Sequence, residues 1–114
     1  MAIQTTTEKN NLATQYGTNA AYAALYTTLP GASAGTEVTG GSPAYARKAL
    51  TWGAASGGVV TVTVTFDVPA GTTVVGAGVH TAITAGTYLD GAAVTSQAFA
   101  SQGTYALTLT YTQS

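Results

Sequence analysis

The chain of 114 residues has no cysteine, a single histidine and three prolines, and only 6% of it is charged. Without cysteine, neither a disulfide framework nor a thiolate zinc site can hold the fold, and redox compartment is not encoded. The charge deficit is the sharpest departure from the norm, since soluble domains carry roughly 25% Asp, Glu, Lys and Arg. Three cations, Lys9, Arg47 and Lys48, cannot neutralise a run of phosphates, so nucleic acid is not an expected partner. No apolar run approaches the ~18 residues of a spanning helix, and no charged and then apolar leader opens the sequence. Neither a membrane partner nor a signal peptide is expected.

What stands in place of charge is Thr, Ser, Asn, Gln and Gly, beside an ordinary hydrophobic fraction of 46%. A net charge of -1 supplies little self-repulsion, and such neutral polar surfaces associate readily. The composition therefore predicts a protein that works within an assembly. The length suits one core, with about two thirds of the unfolded chain's surface buried on folding.

Along the chain, Thr5 precedes Glu8 at the spacing of a capping box, with Leu12 and Tyr16 a turn apart, which predicts a short helix over residues 6 to 16 ending at Gly17. Met1-Ala2-Ile3, followed by Gln4 and Thr5 to Thr7, reads as an arm that docks on a neighbour. From Ala20 onward the pattern is strands and turns. Val62, Val64 and Phe66 alternate with Thr61, Thr63 and Thr65, and Tyr105, Leu107, Leu109 and Tyr111 alternate with Ala106, Thr108 and Thr110. Val62, Val64, Phe66, Leu107 and Leu109 are the expected core. Weaker strands fit residues 21 to 27, 45 to 52, 73 to 80 and 87 to 94. Turns are expected at Leu29-Pro30-Gly31, Gly40-Gly41-Ser42-Pro43, Ser56-Gly57-Gly58, Val68-Pro69-Ala70-Gly71 and Asp90-Gly91. The fold class that follows is mainly β, an antiparallel β-sandwich or small barrel of six or seven strands. Residues 1–19 form its N-terminal arm or short helix and residues 20–114 a single β domain.

Little in the sequence points to catalysis. His80 would have to serve any Ser-His-Asp arrangement with Asp67 or Asp90, and Ser56 lies outside a nucleophile elbow. A lone histidine in a strand reads as hydrogen-bonded packing. Glu37, Asp67, His80 and Asp90 lack metal-ligand spacing, and Gly76-Ala77-Gly78 lacks the third glycine and following helix of a dinucleotide loop. No catalytic, cofactor-binding or metal-binding residue is therefore assigned, and no cofactor is expected. Seven Tyr and Trp52 leave a carbohydrate-binding module as the alternative from another class, although Tyr105, Tyr111 and Trp52 also fit a sheet core. Glu37 and Arg47 flank a Gly-Pro turn that could bring them together as an ion pair.

The central half of the chain resembles a family of small structural proteins of tailed phages of actinobacteria. The resemblance runs through Ala24-Leu25-Tyr26-Thr27, Pro30-Gly31, the stretch Gly35-Thr36-Glu37-Val38-Thr39-Gly40-Gly41-Ser42-Pro43-Ala44-Tyr45-Ala46-Arg47, then Trp52, and Phe66 to Val74. At the position of His80 that family commonly has Trp. The resemblance implies a virion component labelled capsid decoration, minor tail or tail fibre. The expectation drawn from it is a decoration protein on the outer face of the phage head, a homotrimer whose partners are copies of itself and the major capsid protein. A minor tail or tail-fibre component is the alternative.

Overall fold

A computed structural model describes residues 5–41 and 43–113. Within them a helix, α1 (Thr6–Asn19), precedes six strands: β1 (Tyr22–Tyr26), β2 (Lys48–Ala49), β3 (Val59–Val68), β4 (Thr72–His80), β5 (Tyr88–Phe99) and β6 (Gly103–Thr112). Four of them form an antiparallel sheet in the order β2-β1-β4-β5, and β3 and β6 form an antiparallel pair. The protein is mainly β, as its sequence predicts, with two sheets packed as a sandwich that does not close into a barrel.

Helix α1 starts where the capping box places it. Thr5 is extended, and its hydroxyl oxygen accepts a hydrogen bond from the Glu8 N–H at 3.3 Å, satisfying one of the open donors of the first turn. The helix runs past its expected end because Gly17 is not a stop. A Cβ at Gly17 would come within 3.1 Å of the Trp52 ring, so the glycine lets the helix approach the indole. Thr6 and Thr7 are helical and do not belong to an extended arm; Met1 to Gln4 lie outside the described residues.

The two strongest strand patterns pair with each other. Val62 faces Leu109, Val64 faces Leu107 and Phe66 faces Tyr105. Phe66 and Leu107 enter a core with Leu25, Val38, Val68, Val74 and Phe99, and Val64 and Leu109 flank it. The opposite face is a threonine ladder, with the Thr63 and Thr108 hydroxyls 3.0 Å apart. Gly57 and Gly58, at φ +59° and +80°, form the tight turn into β3.

Two further expectations change. The strand placed at 45 to 52 reduces to Lys48–Ala49. Before it, the Tyr45 N–H donates to the Gly40 carbonyl; after it, the Gly53 N–H donates to Thr61 on β3, so the chain crosses from one sheet to the other instead of extending along β1. Asp90-Gly91 is not a turn but lies inside β5, paired with Val79 and Gly78. There a Cβ would meet the Tyr88 hydroxyl, the Ala77 carbonyl oxygen and Pro30, so the glycine lets the strand pack closely.

Candidate functional site

The densest polar chemistry lies where the segment after β1 returns to it. Glu37 bridges to Tyr26, and Arg47 forks onto its carboxylate, Nη2 to Oε1 at 2.9 Å and Nε to Oε2 at 3.0 Å. Arg47 Nη1 donates to the carbonyls of Ala82 at 3.0 Å and Ala85 at 2.9 Å. The guanidinium therefore ties the segment before β2 to the loop between β4 and β5, where Ala85 has φ 54°. The Tyr45 hydroxyl donates to Glu37 Oε2 at 2.8 Å and accepts the Leu25 N–H at 2.9 Å. The ion pair inferred from the sequence is thus formed, and it is mostly shielded, with side chains 12% and 26% exposed for Arg47 and Glu37.

The electrostatics follow from this enclosure. Burial alone would raise the Glu37 carboxyl, but hydrogen bonds from Arg47 and Tyr45 and the guanidinium charge hold it below its ordinary value. Burial raises the Tyr45 phenol and pushes Tyr26 up to about 12. His80, only 4% exposed, shares a hydrogen bond through Nε2 with the Tyr26 hydroxyl and lies edge-on to Tyr88. Burial and then the Arg47 charge lower its pKa. The histidine is a packed, hydrogen-bonded residue whose Nε2 meets a tyrosine and not Asp67 or Asp90. Asp67 sits on β3 and Asp90 on β5. Among the described residues no three His, Cys, Asp or Glu side chains converge as metal ligands, and Gly76-Ala77-Gly78 is strand β4 rather than a loop. The arrangement is a clamp: its hydrogen bonds fix loops to the sheet.

A second feature is the open seam between the sheets. A cleft of about 250 Å³ is lined by Tyr16, Trp52, Val79, Asp90, Leu109 and Tyr111 among others. Tyr16 stacks on Tyr111 with ring centroids 3.8 Å apart and stands edge-on to Trp52 at 5.8 Å. The Trp52 Nε1–H donates to the Ala20 carbonyl at 2.9 Å. Burial, with Asp90 nearby, pushes the Tyr16 phenol up to about 12. These rings use their faces and polar tips to seat α1 on the sheets. Their role in packing agrees with the sequence reading of Tyr111 and Trp52, but for Tyr16 the spacing from Leu12 marks only a helix face. Its partner is the last strand, and only folding brings the two together.

Comparison with known proteins bears on what this scaffold does. The family model described as podophage GP4 fiber I protein gp80 matches residues 4–111, nearly the whole chain. No curated protein and no solved structure matches it. The virion part of the expected identity stands, but the assignment to head decoration of actinobacterial phages gives way to a fibre family, which favours the tail-fibre alternative. The family is one of structural fibre proteins and not of enzymes. The chain belongs to the family of the podophage GP4 fibre protein gp80, structural components of the phage virion.

Proposed function

We propose that the protein is a structural subunit of a phage tail fibre that acts by assembling with copies of itself, most simply as a homotrimer. The family match carries this reading. The surface supports it: with 6% charged residues and a net charge of -1, copies repel one another weakly. The shape supports it as well, since the chain is elongated, 47 Å along its principal axis against 25 and 23 Å across. Neighbouring fibre or tail proteins replace the major capsid protein as its external partners.

Copy number separates fibre from head. A head-decoration protein repeats with the capsid lattice, whereas a fibre subunit is present in a few rings or spikes. Virions are disrupted, heads and tails separated, and the protein quantified against the major capsid protein in each fraction. Recovery with tails at low copy is the expected result. Abundance comparable with the major capsid protein in the head fraction would return the protein to the capsid surface.

A further inference from the structure

The two edges of the four-stranded sheet are complementary in direction, register and charge. Each junction in the order β2-β1-β4-β5 is antiparallel, so β2 and β4 run one way and β1 and β5 the other. An even number of alternating strands leaves its two edges pointing in opposite directions. A second copy held in the same orientation, as rotation about an axis along the strands requires, therefore presents its β2 antiparallel to β5 of the first. With an odd number this contact would be parallel.

The register is as specific as the direction. Lys48 pairs with Ala23, Ala23 with Val79, and Val79 with Asp90. These four residues form one row across the sheet, and residues in a row project on the same face. The row thus ends in an ammonium on one edge and a carboxylate on the other. Among the described residues the remaining charges lie elsewhere: Glu8 and Lys9 on α1, Asp67 on β3, and Glu37 and Arg47 on each other. Another row runs from Glu37 through Tyr26 and Gly76 to Ala93, so Thr36–Val38 and β2 together line the far edge opposite β5. Strand β5 is 12 residues long, pairs with β4 alone among the named strands, and carries no charge but Asp90. Exposed edges are ordinarily blunted by lysine, proline, bulges or short length; β5 shifts register on either side of Asp90–Ala93, so that regular stretch, with no lysine or proline, is the part of the edge open to pairing.

We propose that β5 of one copy docks antiparallel on the β2 edge of a second copy, with Asp90 opposite Lys48, and that this head-to-tail contact repeats around the fibre axis to close a ring. This rests on the reading that the protein assembles with itself, and it names the surface that does so. The contact is heterologous, as ring closure needs, and it places opposite charges directly across a strand pair.

The absence of cysteine provides a clean test. Within one copy Lys48 and Asp90 are three strand spacings apart, about 14 Å at ~4.8 Å per strand, too far for a disulfide. Directly paired strand positions in two copies are within reach. The variant carrying Lys48→Cys and Asp90→Cys, oxidised mildly, should give a ladder on non-reducing gels that ends at the ring, while each single variant should not. In parallel, sedimentation should show Asp90→Lys weakening the oligomer several-fold and the exchange Asp90→Lys with Lys48→Asp restoring it. If the cysteine variant loses its β circular dichroism, the charge-exchange series decides alone. An oligomer that neither cross-links through these positions nor responds to the exchange overturns the edge contact and leaves self-assembly intact. A monomer at every concentration overturns both.

Discussion

Burial of a histidine among tyrosines and beside an arginine has a measurable consequence. His80 contacts Tyr26 and Tyr88, and burial with the nearby Arg47 charge lowers its pKa below the ordinary 6.5. Below about pH 6.5 the unfolded chain takes up a proton there that the folded chain resists, so the unfolded state binds more protons and stability falls with acid. Glu37 acts in the same direction. Its folded pKa is lower than the ordinary 4.5, so its contribution is complete above that value and is lost as pH falls through the folded pKa. The urea midpoint should accordingly drop in two stages, the first beginning near neutrality and the second in the carboxylate range. His80→Gln should remove the first and keep the second. Equal midpoints for the parent across the first range would show that His80 accepts its proton freely. The sequence identifies His80 as packing from its strand context, but it gives no hint that Tyr26 is the partner, because the two are brought together only by pairing β1 with β4.

At the scale of elements, alternation is the signal that survived folding. Val60 to Phe66 and Tyr105 to Tyr111 show period two, and they became the paired strands β3 and β6 with the expected apolar face inward. Leu107, 4% exposed within the core cluster, is the residue to test. Leu107→Ala should cost roughly 2–5 kcal/mol, the range for truncating a buried leucine. A midpoint unchanged in urea would mean that the sheet face had been assigned wrongly. Where signals were local but ambiguous, tertiary contacts decided. Asp90-Gly91 has turn chemistry, yet Tyr88 packs where a side chain at 91 would lie, and the strand runs through. Gly17 resembles a helix stop, yet it makes room for Trp52. The residues 45 to 52 have strand composition, but the Tyr45 hydroxyl holds Glu37 and Leu25, and the chain then leaves for β3. In each case a glycine or aromatic residue was legible as important, while its partner lay far along the sequence.

For the whole molecule, the question is whether residues 1–19 and 20–114 are separate units or one. The described part of the first segment is not loosely attached. Tyr16 stacks on Tyr111 of the last strand, Asn10 Oδ1 accepts the Gly58 N–H at 2.8 Å, and Gly17 packs on Trp52. Helix α1 itself has little to hold it in isolation: it is 14 residues long with Ala13 its sole buried residue, and helices of that length are marginal alone in water. It should therefore unfold with the sheet it covers. Trp52 is the single tryptophan and lies between α1, the Ala20 carbonyl and Tyr16, so its emission reports undocking of the helix. Circular dichroism in the β region reports loss of the sheets. In a denaturant titration the two transitions should coincide, the signature of one cooperative unit. If tryptophan emission shifts to the red before the β signal changes, the helix detaches first and residues 20–114 stand as an independent domain. In the fibre the difference is mechanical: a cooperative subunit keeps its helix under load, whereas a detachable one would release it.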